Sequence, residues 1–311
     1  MSNDVSTAVA VLRRGGLVAM PTETVYGLAA DASNEAAVRR VFSVKGRPAD
    51  HPLIVHIADV AAMDQWAAHV PHAARVLTEA CWPGPLTVLV PRAAHVLSVV
   101  TGGRDTVGLR VPAHALALEL LREFGGGLAA PSANRFGRVS PTTAQHVRDD
   151  LGADVDLVLD GGACPIGVES TIVDCTVDPP QVLRPGGIPT EHIAALLEAA
   201  GSPNGSALAA PAGPSRASGM LASHYAPRCR VLLAESPADV NQLLEVARSR
   251  GEHVDVIGDT SDVVAYAHHL YTWLRAADAR GLDSVVALLP EAAGLGHAIR
   301  DRLAKAAADA G

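Results

Sequence analysis

LVAMPTETVYGLAAD, residues 17–31, sets an apolar run, a proline and a cluster of hydroxyls side by side. Residues 17–21 read as a buried strand ended by Pro21, since proline cannot donate to a strand ladder. Thr22, Thr24 and Tyr26 follow at once. Ligands in α/β sheets collect beyond the carboxyl ends of strands, so this stretch is a candidate binding loop. The plainer alternative is a polar turn closed by Gly27. KGRPADHPLIVH, residues 45–56, comes next. The spacing predicts a helix over 34–44 with Ser33 as its N-cap, and a strand over 53–57. Lys45 and Arg47 would then complement the helix C-terminus. Pro48 and Pro52 also hold Lys45, Arg47 and His51 close together, as a pre-organised anion site requires. His56 sits in an apolar strand, where a satisfied core histidine is the ordinary reading.

Working outward, the pattern predicts helices over 4–14, most of 60–80, 114–123, 142–152 (capped by Thr142) and 190–200. Strands are expected at 87–90, 106–112, 127–134, 156–162, 170–176 and 181–187. Strands and helices mix without a strict alternation, so residues 1–200 read as one α/β domain with a twisted mixed sheet. Residues 201–218, rich in Gly, Ser, Pro and Ala, read as a linker, taken to extend to 228. Beyond it, strands at 229–236, 253–259 and 284–290 alternate with helices at 238–249, 263–280 and 294–308. That predicts a smaller, Rossmann-like C-terminal domain over 229–311. It has no GxGxxG, so the fold alone does not make it a dinucleotide binder.

Bulk properties narrow the function. The chain has 311 residues, 49% hydrophobic but only 3% aromatic, so its core must be built from small aliphatic side chains. A net charge of −8 argues against a protein that grips nucleic acid through a broad basic face. Cys81, Cys164, Cys175 and Cys229 form no CxxC pair, which disfavours a zinc ribbon and suits a reducing cytosol. No run approaches the roughly 18 apolar residues of a membrane span, and the N-terminus lacks a signal-peptide pattern. A soluble cytoplasmic enzyme is expected. Without a Walker A loop, phosphates would have to be held by individual cations and hydroxyls.

Four further stretches carry polar groups at strand ends. Arg110 lies among valines in TVGLRVP; a buried arginine must meet either a carboxylate of the protein or one from a ligand. Ser132, Asn134 and Ser140 crowd APSANRFGRVS, Ser170 and Thr171 open STIVD, and Arg184 ends a strand in LRPGG. So many polar insertions in one domain favour a single shared pocket.

In this order, PTETVYGL, KGRPADHPLIVH, WPGPLT (82–87), TVGLRVP, APSAN, GVESTIVD (167–174) and LRPG resemble the threonylcarbamoyl-AMP synthase family with its YrdC-like catalytic domain. GMLASHYAP (219–227) resembles the linker motif of its longer members, and the tail resembles their extra C-terminal domain. The resemblance implies a reaction of L-threonine, bicarbonate or CO2, and ATP, with Mg2+ accompanying the ATP. Its product would pass to a threonylcarbamoyl-transferase complex that modifies tRNA, so that tRNA is acted on indirectly. It assigns Thr24, His56, Arg110, Ala130 and Ser170 to threonine. It assigns Arg47, His51, Thr106, Ser132, Ser140, Arg184 and Tyr225 to ATP, with Tyr225 closing over the nucleotide. Lys45 and Arg47 become the catalytic cations, and no metal ligand is implied among the protein side chains. This chain has His51 where the family commonly has Asn, and Leu221, Ala222 and Ser223 where basic residues usually precede HYAP.

Overall fold

The computed structural model describes residues 3–201 and 225–308. The linker expected at 201–228 therefore falls largely outside the described residues, as does GMLASH of its motif; Tyr225, Ala226 and Pro227 lie inside.

The first part runs α1 (Asn3–Arg13), β1 (Val18–Met20), β2 (Gly27–Asp31), α2 (Glu35–Lys45), β3 (Ile54–His56), α3 (Met63–Trp66), α4 (His72–Cys81) and β4 (Leu86–Pro91). It continues through α5 (Ser98–Thr101), β5 (Thr106–Arg110), α6 (Ala115–Phe124), β6 (Leu128–Ala129), α7 (Ala144–Leu151), β7 (Leu157–Val158), β8 (Thr171–Asp174), β9 (Gln181–Arg184) and α8 (Thr190–Ala199). The strands form one nine-stranded sheet in the order β7-β1-β2-β6-β3-β5-β4-β8-β9. Its pairings are mixed: β3 with β5, β4 with β8 and β1 with β7 are parallel, the rest antiparallel. Ile193 and Leu197 of α8 pack into the same core as Leu77 of α4 and Val88 of β4, so this helix belongs to the first domain.

The second part is β10 (Arg230–Ala234), α9 (Pro237–Ser249), β11 (Val254–Ile257), α10 (Val263–Ala279), β12 (Ser284–Leu288) and α11 (Gly296–Ala307). Its three strands are all parallel, in the order β10-β12-β11, which needs the helical crossovers that the sequence supplies. The last strand, β12, occupies the centre. The core of this part also takes in Val25, Val139, Val168 and Tyr225, so the two parts share buried apolar surface. Gly167, at φ +83, marks a close approach between them: a Cβ there would meet the carbonyl of Ala267 at 2.5 Å.

Several local expectations shift. The side chain of Asn34, not Ser33, accepts from the Ala37 amide to cap α2, and Thr143, not Thr142, caps α7. The helix expected over 60–80 is broken at Ala67, which is extended, before Pro71 starts α4. The strand β2 was not anticipated; GLAAD has too little side-chain contrast to alternate visibly. Helix α2 stops at Gly46, whose φ of 66 lets its amide bond back to Phe42 and Ser43.

Candidate active site

The topology gathers the functional strand ends. β3 and β5 run in parallel with His56 opposite Arg110. β5 is antiparallel to β4, β4 parallel to β8, and β8 antiparallel to β9. The carboxyl ends of β3, β5 and β9 and the amino end of β8 therefore share one edge, which brings His56, Arg110, Arg184 and Ser170 together. Ile54 and His56 are two residues apart on β3 and so point to the same side. Both line one pocket, with Thr22, Val25, Gly27, Arg47, Arg110, Ala130, Pro131, Ser132, Glu169, Ser170, Arg184 and Tyr225. The pocket thus covers a face of the sheet as well as the strand ends.

Arg110 divides its donors. Nη2 binds Glu23 at 2.7 Å and Thr24 Oγ1 at 2.9 Å, and Nε donates to the Gly84 carbonyl at 3.3 Å. Glu23 also accepts from the Ala113 amide at 3.0 Å. Nη1 of Arg110 has no partner among the described residues. Thr24 is held further by Thr22, whose hydroxyl lies 2.8 Å away. His56 is buried beside Arg110; desolvation first, and then that positive charge, push its pKa down to about 3, so it is neutral. Its Nδ1 has no hydrogen-bond partner among the described residues.

Arg184 reaches the carbonyl of Ser170 at 2.9 Å and its hydroxyl at 3.1 Å. The Ser170 hydroxyl also meets Thr87 at 2.8 Å. Arg47 donates to the Pro52 carbonyl at 3.0 Å and lies over the Phe136 ring. Burial brings its pKa down to about 10. Gly186 lets the turn after β9 pass against this wall: a Cβ there would stand 2.4 Å from the backbone of Glu169, Ser170 and Thr171.

Eight of the expected site residues line the pocket: Arg47, His56, Arg110, Ala130, Ser132, Ser170, Arg184 and Tyr225. Thr24 adjoins it through Arg110, and Ser140 through a 2.7 Å bond to Glu169. Three others stand apart from the lining. The Lys45 ammonium is buried and donates to the carbonyls of Ser132 and Asn134, both at 2.6 Å. Burial, and then Arg47, hold its pKa well below the usual lysine range. It braces the APSAN loop. His51 packs edge-on to Phe136 behind Arg47, 5.6 Å between centroids. Thr106 opens β5, on the same face as Arg110 by strand alternation but four residues back along the strand.

Sequence reasoning missed four residues. Glu23 sits inside the quoted PTETVYGL and Glu169 inside GVESTIVD; each was legible as a carboxylate beside a buried cation. Tyr271 and Arg302, from α10 and α11, carry no sequence signal of their own. Tyr271 donates to Glu169 at 2.8 Å and Arg302 does so at 2.7 Å. Arg302 also lies 5.0 Å over the ring of Tyr225. Tyr225 is fully buried at φ 64, a left-handed conformation uncommon for a tyrosine, and stacks on Tyr271 at 5.8 Å. Burial pushes its phenol up to about 12. Burial pulls the Glu169 carboxyl upward, but Arg302, Arg184 and the hydrogen bonds outweigh it and bring it to about 2. The space that water can enter inside the pocket is about 50 Å³. Ligand sites typically offer about 300 Å³ or more.

Comparison with known proteins follows this architecture. A family model described as telomere recombination (Sua5, YciO and YrdC) matches residues 10–186. A second, described as the C-terminal domain of threonylcarbamoyl-AMP synthase, matches residues 188–308. The threonylcarbamoyl-AMP synthase of Pyrococcus abyssi is 42% identical over 96% of this chain and 92% of that protein. The Bacillus subtilis protein of the same name is 39% identical over 97% and 92%. The crystal structure of P. abyssi Sua5 complexed with L-threonine superposes with a TM-score of 0.91 at 40% identity, covering 97% of this chain and 94% of that one. The chain belongs to the Sua5–YciO–YrdC family, and to those members that carry the synthase C-terminal domain.

Proposed function

We propose that this chain is a threonylcarbamoyl-AMP synthase, making L-threonylcarbamoyl-AMP and pyrophosphate from L-threonine, bicarbonate or CO2, and ATP. The observation that carries the reading is the convergence of three buried arginines, Arg47, Arg110 and Arg184, on one pocket. Guanidinium forks match the oxygens of carboxylates and phosphates, and such a trio suits an amino-acid carboxylate beside a triphosphate.

Arg110 would take the threonine carboxylate on Nη1, with Glu23 and Thr24 fixing its plane. Neutral His56, Ser170 and the backbone at Ala130 would complete that half. The amine attacks CO2, forming a C–N bond and, after loss of a proton, an N-carboxylate. A carboxylate oxygen then attacks the α-phosphorus, and the bond to the pyrophosphate oxygen breaks. Arg47 and Arg184, with Ser132, Ser140 and Tyr225, would hold the nucleotide and the leaving pyrophosphate. Lys45 would act indirectly, by holding the Ser132 loop. Thr106 and His51 remain nucleotide contacts in this reading, reached from the ends of β5 and of the loop before β3. Little covalent work falls to the protein, so positioning and charge neutralisation dominate.

Both oxygens of Glu23 and of Glu169 are engaged by donors of the protein. In this reading Mg2+ would arrive on the triphosphate as part of the substrate. The adenylate would pass in the cytoplasm to a transferase complex that modifies the adenosine beside the anticodon of tRNAs reading ANN codons. Among the described residues no helix is long and apolar enough to cross a membrane. The deciding assay measures pyrophosphate with each substrate omitted in turn and detects the adenylate by mass. Pyrophosphate that appears equally without threonine, or not at all with Mg2+ present, would overturn the reading.

A further inference from the structure

The C-terminal domain places one side chain against the pocket wall, and its contacts are unlike those of an ordinary interface residue. Arg302 of α11 is fully buried. Its Nε donates to Glu169 at 2.7 Å and its Nη2 to the carbonyl of Pro185 at 3.1 Å; its Nη1 binds Asp301 beside it. Its flat face covers Tyr225. Glu169 and Tyr225 both line the pocket, and Pro185 directly follows Arg184. One guanidinium therefore touches three separate parts of the nucleotide half.

The charges give this geometry its meaning. Glu169 feels both Arg302 and Arg184, and Ser140 hangs from its other oxygen at 2.7 Å. Without Arg302, Arg184 would be the nearest positive group to a buried carboxylate, and the pull between them would be large at low effective dielectric. An arginine drawn to Glu169 is not available to a phosphate. Building on the synthase reading, we infer that Arg302 is a positioning residue for ATP. It neutralises Glu169 so that Arg184 stays directed at the triphosphate, and it holds Tyr225 in the pocket wall. The second domain is thereby a component of nucleotide binding, supplied through one side chain. A residue that merely glued the domains together would affect both substrates alike and would not depend on the charge of Glu169.

The test uses the full chain and four proteins: the parent, Arg302→Met, Tyr271→Phe, and the double variant Glu169→Gln with Arg302→Met. Each is titrated calorimetrically with a non-hydrolysable ATP analogue and Mg2+, and KM is measured separately for ATP and threonine. Arg302→Met is expected to weaken the analogue by roughly tenfold or more and to leave KM for threonine within about threefold, the scale of losing a charge-assisted contact. The double variant is expected to recover most of that loss, because Arg184 no longer faces an unpaired carboxylate. Tyr271→Phe removes one hydrogen bond to Glu169 and keeps the ring stack; a rise of about two- to fivefold in the same direction is expected, and it remains readable if Arg302→Met does not fold. Unchanged analogue affinity in the folded variants, equal weakening of both substrates, or a double variant no better than the single one would overturn the inference. If the parent binds the analogue but forms no adenylate, the synthase reading falls while the titration still decides the role of Arg302.

Discussion

Arg110 spends two of its nitrogens on the protein and keeps the third for the pocket. A lysine in its place could not span Glu23, Thr24 and a ligand carboxylate together. Arg110→Lys should raise KM for threonine by roughly tenfold or more, the scale of a lost charge-assisted pair, with a smaller change for ATP. Steady-state kinetics in both substrates would check it, and a change confined to ATP would refute it. His56 makes a prediction in pH. Its folded pKa is lowered to about 3, against about 6.5 in an unfolded chain. The unfolded state therefore binds a proton that the folded state refuses. Stability is complete above pH 6.5 and declines as pH falls from 6.5 toward 3. For one group the slope cannot exceed about 1.4 kcal/mol per pH unit, so about 2 kcal/mol is lost by pH 5. Urea unfolding of the parent and of His56→Gln at pH 7.5 and 5.0 should show a shallower loss in the variant. Equal losses would remove His56 from the account. The same histidine shows what the sequence could and could not supply. Its place on an apolar strand was visible, but its register opposite Arg110 needed β5, more than fifty residues away.

The turns between elements carry as much of the site as the strands do. Gly186 lies where the loop after β9 crosses the start of β8, and any side chain would displace the backbone at Ser170. Gly186→Ala is expected to lower pyrophosphate formation by roughly tenfold or more while far-UV circular dichroism stays unchanged, since overpacking forces backbone shifts of about 1–3 kcal/mol. Unaltered turnover would show that the wall tolerates the shift. At this scale the sequence was informative wherever apolar period and punctuation agreed, as in β1, β3, β5 and α2. It was silent at β2, where glycine and alanine carry no alternation. It slipped by one residue at the caps of α2 and α7, because Ser33 and Asn34, like Thr142 and Thr143, are adjacent residues of equal capping ability. Lys45, expected as a catalytic cation, is placed differently for a related reason. A cation after a helix invites a ligand, but here two backbone carbonyls had already claimed it.

Across the whole molecule, the site depends on how α10 and α11 dock on the first domain. The approach at Gly167 leaves no room for a side chain between it and the Ala267 carbonyl, and its positive φ adds strain to any replacement. Gly167→Val should wedge the parts apart, expose the shared core to proteolysis and reduce ATP-dependent turnover with each part still folded. Limited proteolysis alongside kinetics would test this, and a protease-resistant, fully active variant would contradict it. Docking of this kind was the least legible feature of the sequence. The strand-helix pattern of the tail was plain, but Tyr271 and Arg302 look like any residues of an amphipathic helix until Glu169 is seen beneath them.

The position of Arg302 along the chain also bears on how the protein is made. The main sheet gains its final strand with β9, ending at Arg184, whereas Arg302 lies in the last helix. At a synthesis rate of about 5–20 residues per second, roughly 6–24 s separate the two. During that interval a nascent chain has its sheet complete while Glu169 still lacks the guanidinium of Arg302. Such a chain would be an unfinished catalyst on the ribosome, and messages cut short before α11 would yield a product that lacks both this brace on the nucleotide half and the α11 share of the second core.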